Sequence, residues 1–231
     1  MKTRSLQFGK ALSAALFILL LSLAGLTNAM AQEFTVGDLN YSVNDDGVSV
    51  TLTGYEGYIQ GALVIPESVS YEENTYAVTA IGEWALEDCC GITSVIIPNS
   101  VTSIGDAAFY GCIALTSITI PDSVTSIHSG AFNETGWYYN QPDGILYLYN
   151  YCLGYKGVEL EGNLSIREGT KVIADWSFNN IWTDNSFYVY LPNTLTHIGD
   201  GAFFSTGYEC ITIPNSVVYI GDNAFDGFWG W

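Results

Sequence analysis

Residues 97–104 read Ile-Pro-Asn-Ser-Val-Thr-Ser-Ile, and the phrase returns at residues 120–127 as Ile-Pro-Asp-Ser-Val-Thr-Ser-Ile. Each copy runs on into an Ala-Phe pair, at residues 108–109 and 131–132, so the offset is 23 residues throughout. A fixed period of this length is typical of a solenoid, in which one supersecondary unit stacks on copies of itself. The sequence therefore predicts an array of coils around one continuous core.

Weaker copies of the phrase extend the array in both directions along the chain. They begin at Ile65, Ile166, Leu191 and Ile213. The first of these copies carries about nine extra residues, which we place at residues 70–77. The coil at residues 137–160 keeps the length of the repeat but has lost its consensus.

Each coil is predicted to contain three short pieces. In residues 115–120, isoleucines alternate with serine and threonine, which indicates a strand with one buried face. Pro121 ends this strand, because proline has no N–H for the next ladder bond. Residues 124–127 form a second extended piece, and residues 131–132 lie on a single helical turn.

Two sets of residues recur at fixed positions of the coil. Acidic or hydroxyl side chains two residues after an isoleucine are expected to cap the start of each helical turn; they are Glu83, Asp106, Ser129, Asp175, Asp200 and Asp222. Their stacking along one edge leaves a cation-binding edge as the alternative. The second set should stack as one buried column, and it comprises Leu86, Phe109, Phe132, Phe178, Phe203 and Phe225.

The phrases IPDSVTSI (residues 120–127) and IGDAAFYGC (residues 104–112) resemble the consensus of the BspA-like leucine-rich repeat family. The segment WYYNQPDGILYLYNY (residues 137–151) resembles the atypical coil of that family, and the whole resemblance covers roughly residues 61–227. It implies an α/β, β-rich fold: a right-handed solenoid with a parallel sheet on one face. Members are typically secreted or surface proteins, and some act as adhesins, so the resemblance implies a non-catalytic binding protein.

Three segments are predicted along the chain. Residues 1–31 read as a secretory signal, with basic residues before an apolar run and a small-x-small cleavage site ending at Ala31. An uncleaved membrane anchor is the alternative. Residues 32–60 should form a β-hairpin cap that turns at residues 44–47, and residues 61–231 the solenoid. The predicted location is therefore outside the cell or on its surface.

The charge of the chain restricts its partners. Without residues 1–31, Lys156, Arg167 and Lys171 remain against all 24 acidic residues, a formal net charge of −21. Such a field repels nucleic acid and anionic membranes and favours basic protein surfaces or divalent cations. Solubility outside the cell is the simpler explanation of the charge. No apolar run after the signal is long enough to insert into a membrane.

No catalytic, cofactor-binding or metal-binding residue is predicted. His128 and His197 occupy different coil positions, and neither lies near a serine or cysteine in a recognisable nucleophile context. The five cysteines lack the clustered spacing of a zinc site. Cys89 and Cys112 lie 23 residues apart, so they occupy one position in successive coils, either as buried thiols or as a disulfide.

The strand alternation also predicts which side chains the parallel sheet turns to solvent. The candidate ligand-binding residues on this face are Ser94, Ser117, Thr119, Asn163, Ser165, Tyr188, Tyr190 and Thr212. Tyrosine, serine and threonine on a regular face suit adaptable recognition, although strands favour these residues in any case. The predicted function is protein binding or adhesion, with an extracellular or host-surface protein as the partner.

Residues 146–151 (LYLYNY) offer a second aromatic surface. Tyr147, Tyr149 and Tyr151 are expected on one strand face with the leucines on the other. Because stacked aromatic rings also suit sugars, a glycan-binding module is the alternative function. At the other end of the array, the aromatic residues 228–231 either seal the core or leave the final coil to meet a partner, including a second copy of this chain.

Overall fold

The computed structural model describes residues 32–157, 160, 162–181 and 187–227. The predicted signal at residues 1–31 and the aromatic residues 228–231 lie outside the described residues. Within the described ranges the chain is made of short strands and turns, and its one helix, α1, spans only Gly136–Tyr139. None of the helices in these ranges is long and apolar enough to cross a membrane.

The N-terminal cap is a three-stranded antiparallel meander built from β1 (Glu33–Val36), β2 (Leu39–Val43) and β3 (Ser49–Tyr55). The predicted hairpin is its β2–β3 half, and β1 is an additional strand. In the turn between them, Asp46 Oδ1 accepts from the N–H groups of Val48 and Ser49 at 2.9 Å. This bonding stabilises the predicted turn at residues 44–47.

The remaining strands follow the coils. In chain order they are β4 (Gly61–Val64), β5 (Ser68–Tyr71), β6 (Asn74–Ile81), β7 (Ile92–Ile96), β8 (Ser103–Ile104), β9 (Ser117–Thr119), β10 (Ser126–Ile127), β11 (Gly144–Leu148), β12 (Tyr151–Lys156), β13 (Leu164–Ser165), β14 (Val172–Ile173), β15 (Phe187–Tyr190), β16 (His197–Ile198), β17 (Tyr208–Thr212) and β18 (Tyr219–Ile220). The extra residues of the first coil form the antiparallel pair β5–β6.

The predicted parallel sheet is present on one face, but in two pieces. β4, β7 and β9 form one three-stranded parallel sheet, and β13, β15 and β17 form another. A second face repeats the division: β6, β8 and β10 continue the sheet of the cap, whereas β14, β16 and β18 continue from β12. The solenoid and its β-rich class are therefore as predicted, with an interruption in the middle.

The interruption is the atypical coil, which contains the antiparallel hairpin β11–β12. Leu146 and Leu148 join the buried cluster of the preceding coils, while Ile145 and Tyr147 pack against the cluster of the following coils. The predicted single column of aromatic rings is therefore wrong. The rings of Phe109 and Phe132 stack at 5.2 Å. A separate column follows the hairpin, with centroid separations of 5.3 and 5.6 Å for the pairs Phe178–Phe203 and Phe203–Phe225.

The predicted helical turn in each coil is also wrong. Residues at two coil positions have positive φ, for example Trp84 (57°) and Asp88 (52°), a conformation that breaks a right-handed helix. Alternate N–H groups donate to the next coil instead, including Leu86 N to Ala108 O at 2.8 Å. This third side of the solenoid is a series of turns joined by bonds between coils.

Candidate functional site

The two parallel sheets turn almost all of the predicted face residues to solvent. Ser94 is half-buried, whereas the others are exposed: Ser117, Thr119, Asn163, Ser165, Tyr188, Tyr190 and Thr212. The direction of the face follows from the buried residues that alternate with them, such as Ile118 and Val189. Ligand binding by these side chains stays a prediction.

The second sheet carries the aromatic part of this face. Tyr188 and Tyr190 are 40% and 54% exposed, and their ring centroids lie 6.5 Å apart with planes inclined by 26°. A cavity of about 190 Å³ lies beside them, lined also by Leu191, Cys210 and Thr212. The surface is thus a shallow depression with two nearly parallel rings at its side.

Two polar neighbours hold Tyr188 in this arrangement. Asn163 Oδ1 accepts from the backbone N–H of Tyr188 at 2.9 Å, so this candidate residue also has a structural role at the edge of the short strand β13. The carboxylate of Glu209 raises the pKa of the Tyr188 phenol, first through its charge and then through a hydrogen bond. The rings therefore stand beside a negative charge.

The tyrosine-rich segment is not a single aromatic surface. Tyr151 is 0% exposed, its hydroxyl donates to the Pro121 carbonyl at 2.6 Å, and burial raises its pKa to about 12. Tyr147 is half-buried, and its hydroxyl accepts from the Arg167 N–H at 3.0 Å. The predicted single face is wrong because the chain turns at Tyr149 (φ 53°) and returns as β12.

The side chain of every lysine and arginine in the described ranges has a partner within the chain, at or next to the atypical coil. The Lys156 ammonium donates to the carbonyls of Tyr138 and Gln141 at 3.1 and 2.6 Å. The Arg167 guanidinium lies 4.1 Å from the centre of the Tyr147 ring and donates to the Tyr149 carbonyl. Lys171 pairs with Asp122, which also accepts from Asn150. Each of the three cations is thus neutralised or satisfied within the chain.

The column of acidic residues bonds between coils and does not cap helices. Asp106 Oδ1 accepts from Ser129 N at 3.0 Å, Asp175 Oδ1 from Asp200 N at 2.9 Å, and Asp200 Oδ1 from Asp222 N at 2.8 Å. Each carboxylate therefore bonds the equivalent residue of the following coil. Among the residues that the structure covers, no group of three or more His, Cys, Asp or Glu is arranged to hold a metal ion.

Sequence reasoning missed one polar cluster. His128 Nδ1 lies 2.8 Å from Asp175 Oδ2, and its Nε2 lies 3.2 Å from Ser126 Oγ. His128 therefore contacts both a serine and a carboxylate. Ser126 and His128 flank the buried Ile127 at the end of β10, so their proximity could be predicted from the sequence. The contact with Asp175 could not be predicted, because Asp175 lies beyond the hairpin in the sequence. In the structure its coil pairs directly with the coil of Ile127, through Asp175 N to Ile127 O at 2.9 Å.

This cluster has the connectivity of a serine–histidine–carboxylate relay but works as a contact between coils. An acyl-transfer site also needs N–H donors aimed at the developing oxyanion. The N–H groups of Ser126, His128, Asp175 and Asp200 all donate to acceptors in neighbouring coils. Asp175 is 8% exposed and receives bonds at both carboxylate oxygens. The cluster of Ser126, His128 and Asp175 therefore joins the coil before the hairpin to the coil after it. We call this junction the seam.

The seam should make stability depend on pH. The hydrogen bond to Asp175 raises the pKa of His128 above its usual value. A raised folded-state pKa contributes stability that is complete below about pH 6.5 and is lost as the pH rises through the folded-state pKa. We expect His128→Gln to lower the melting temperature more at about pH 5.5 than at about pH 8.5. His197→Gln is the matched control, because His197 contacts the hydroxyl of Thr196. Equal effects of His128→Gln at both pH values would contradict this role.

The five cysteines are free thiols in the structure. Cys89, Cys112 and Cys152 are buried, and Cys90 and Cys210 are exposed. Cys112 Sγ donates to the Leu86 carbonyl at 3.0 Å, and burial raises its pKa to about 12. Of the two alternatives for Cys89 and Cys112, the structure has the buried thiols.

These features define a leucine-rich repeat solenoid whose coils are joined by backbone and aspartate bonds. The sequence profile described as "BspA type Leucine rich repeat region" matches six copies in this chain, over residues 79–181 and 147–229. The chain therefore belongs to the BspA-type leucine-rich repeat family. No protein of curated function matches it.

Several solved bacterial structures are similar to the chain. A leucine rich cell surface protein from Faecalibacterium prausnitzii is 28% identical, with a TM-score of 0.46 and coverage of 85% of this chain and 52% of the other. A leucine-rich repeat protein from Bacteroides ovatus is 27% identical, with a TM-score of 0.48 and coverage of 85% and 57%. The T. pallidum leucine rich repeat protein is 22% identical, with a TM-score of 0.46 and coverage of 83% and 82%. The chain thus spans just over half of the length of the first two proteins.

Proposed function

We propose that this protein binds another protein, outside the cell or on its surface, through the exposed side of its parallel sheets, and that it performs no chemistry. Leucine-rich repeat proteins generally act as binding modules, and one similar protein is described as a cell surface protein. The predicted signal at residues 1–31 supports export. The observation that carries the proposal is the exposed pair Tyr188 and Tyr190 on the second sheet.

The physical argument concerns the entropy cost of binding. A tyrosine side chain supplies a large contact area with only two χ angles to immobilise. Strand β15 is bonded to β13 on one side and to β17 on the other, so its backbone is already ordered before a partner arrives. The first sheet adds exposed apolar side chains at Val64 and Ile96, which lie opposite each other on neighbouring strands. Such a face combines aromatic and aliphatic anchors with a polar surround.

The glycan alternative was based on a single aromatic face at residues 146–151, and these tyrosines do not share one face. Tyr151 is buried, and the hydroxyl of Tyr149 donates to the Ile118 carbonyl of the preceding coil at 3.2 Å. Tyr147 lies under the Arg167 guanidinium. These tyrosines hold the hairpin between the two halves of the solenoid, so their loss should reduce stability before it affects binding.

Substitution of the sheet tyrosines tests the proposal. Tyr188→Ala and Tyr190→Ala should each weaken partner binding by more than about 1 kcal/mol, as aromatic anchors usually do. The free energy of unfolding should change little, because both side chains point away from the core. The measurement is binding to a panel of purified extracellular-matrix proteins, set beside a glycan array.

Tyr147→Ala and Tyr149→Ala are the comparison variants. They should lower the melting temperature while leaving the affinity of the remaining folded protein unchanged. If binding survives Tyr188→Ala and Tyr190→Ala but is lost in the comparison variants, the hairpin is the site and the proposal fails. Binding that survives all four substitutions removes both aromatic surfaces, and binding to glycans alone rejects a protein partner.

A further inference from the structure

The spacing of Tyr188 and Tyr190 makes a slot between two aromatic faces. Side chains two residues apart on a strand project from the same face about 6.6 Å apart, and these ring centroids lie 6.5 Å apart with planes within 26° of parallel. A planar group between two rings needs about 3.5 Å to each, or about 7 Å in all. Both rings are exposed, so rotation of the Tyr190 side chain can supply the difference while Tyr188 keeps its bond to Glu209.

The charge beside the slot is negative. The Glu209 carboxylate lies close enough to the Tyr188 hydroxyl to raise its pKa, through its charge and through a hydrogen bond. The nearest lysine or arginine in sequence, Arg167, binds Tyr147 and the Tyr149 carbonyl on the side of the hairpin. The side chains of the three lysines and arginines of the described chain bind elsewhere: Lys156 and Arg167 bind carbonyls of the atypical coil, and Lys171 binds Asp122. A cation entering the slot therefore meets an acidic group with no internal partner of opposite charge.

The chain already contains one arginine–tyrosine pair of this kind. The Arg167 guanidinium stacks on the Tyr147 ring, 4.1 Å from its centre. A guanidinium is planar, weakly hydrated and able to stack, whereas a lysine ammonium is compact and strongly hydrated. A flat slot between two rings consequently selects arginine over lysine, while a negative surface alone attracts both.

We propose that Tyr188, Tyr190 and Glu209 form a receptor site for an arginine side chain of the partner protein. The inference rests on the proposed function of the sheet face and names the chemistry of its partner. The guanidinium lies between the two rings, and Glu209 accepts one of its N–H groups. The cavity lined by Leu191, Cys210 and Thr212 takes the apolar stem of the arginine.

Short peptides test the site without knowledge of the partner. Isotope-labelled protein is titrated with blocked arginine–glycine, lysine–glycine and citrulline–glycine peptides of equal length, and the tyrosine ring resonances are followed by NMR. The arginine peptide should shift the Tyr188 and Tyr190 signals and bind about two- to fivefold more tightly than the lysine peptide, the range for an exposed cation–π contact. The citrulline peptide, planar but uncharged, should bind more weakly than both.

Four variants separate the slot from general attraction to an acidic surface. Tyr190→Leu should abolish the preference for arginine over lysine, and Glu209→Gln should weaken both peptides. Tyr188→Phe keeps the ring and should keep the preference. Tyr139→Leu is the matched control, because Tyr139 is also exposed and bonded to a glutamate, Glu134, but meets Tyr138 edge-on instead of forming a slot.

The outcomes distinguish this site from the broader function. Equal binding of the arginine and lysine peptides, or a preference that survives Tyr190→Leu, overturns the arginine site. If Tyr188→Ala and Tyr190→Ala still abolish binding to a matrix protein in that case, the sheet face remains the binding surface. A clear arginine preference with no effect of these substitutions on any matrix protein would instead support the slot and reject the proposed function of the face.

Discussion

Phe132→Ala should lower the free energy of unfolding by about 3–5 kcal/mol, the usual loss for a fully buried aromatic side chain. Phe132 is 3% exposed and its ring stacks on that of Phe109 at 5.2 Å with the planes 11° apart. The two coils cannot close over the cavity, because their separation is fixed by bonds such as Phe109 N to Ala131 O at 2.8 Å. We therefore expect the loss in the free energy of unfolding to include the full cost of the cavity that the ring leaves behind.

Phe225→Ala is the matched control for this prediction. Phe225 holds the same coil position at the end of the second column, where it is half-buried and, among the described residues, stacks on Phe203 alone. Its loss should cost less than about 2 kcal/mol, because less apolar area returns to water. Urea unfolding followed by circular dichroism measures both variants. A loss for Phe132→Ala no greater than that for Phe225→Ala would contradict the buried position assigned to Phe132.

The strands and the direction of the sheet face could be predicted because the same alternation of buried and exposed residues recurs in successive coils. Ile118 and Ile120 alternate with Ser117 and Thr119, and the same alternation returns at residues 187–190. A period of two and a period of 23 together fix both the buried face and the register. These are the features on which the candidate site depends.

The turns on the third side could not be predicted in the same way. The segment from Asp106 to Phe109 has good helical propensity, and Ala107 gives no sign of its φ of 49°. Bonds to the neighbouring coil override that propensity, since Ala107 N donates to Ser129 O and Phe109 N to Ala131 O. A helical turn would direct these N–H groups back along its own coil. Only knowledge of the stacked neighbour decides between the two arrangements.

The division of the core into two aromatic columns could not be predicted from the sequence for a related reason. The atypical coil keeps the spacing of 46 residues between Phe132 and Phe178, which is two repeats, and so suggests an unbroken column. Its strands pair antiparallel, with the turn at Tyr149 and Asn150, so the hairpin places leucines where the column would continue. Because the hairpin replaces a regular coil, the coils of His128 and Asp175 come into contact. The expected pH dependence of stability at the seam follows from this contact.

The close approach of the coils leads to the last prediction, that Gly105→Ala should cost about 2 kcal/mol, near the upper end of the range for overpacking. A Cβ at Gly105 would lie 2.6 Å from both Glu83 N and Gly82 C, which are backbone atoms of the preceding coil. Overpacking of this kind costs about 1–3 kcal/mol or more. The reduced entropy of the unfolded chain offsets about 0.4–1 kcal/mol of it.

The equivalent position in the next coil is His128, whose coil is also bonded on both sides, through His128 N to Ile104 O and Asp175 N to Ile127 O. The coil of Gly105 is bonded on both sides, through Gly105 N to Ile81 O and His128 N to Ile104 O. Any shift there stretches one ladder as it relieves the other.

Gly54→Ala provides the control. A Cβ there would meet only the Asn40 side chain, at an ordinary contact distance of 3.6 Å, and the backbone has no positive φ. We expect a change within about 1 kcal/mol, on the stabilising side if the entropy of the unfolded chain dominates. Urea and thermal unfolding of the two variants measure the difference directly. If Gly105→Ala is as stable as Gly54→Ala, the coils do not approach as closely as the hydrogen-bond ladders require, and the account of how they are held together is wrong.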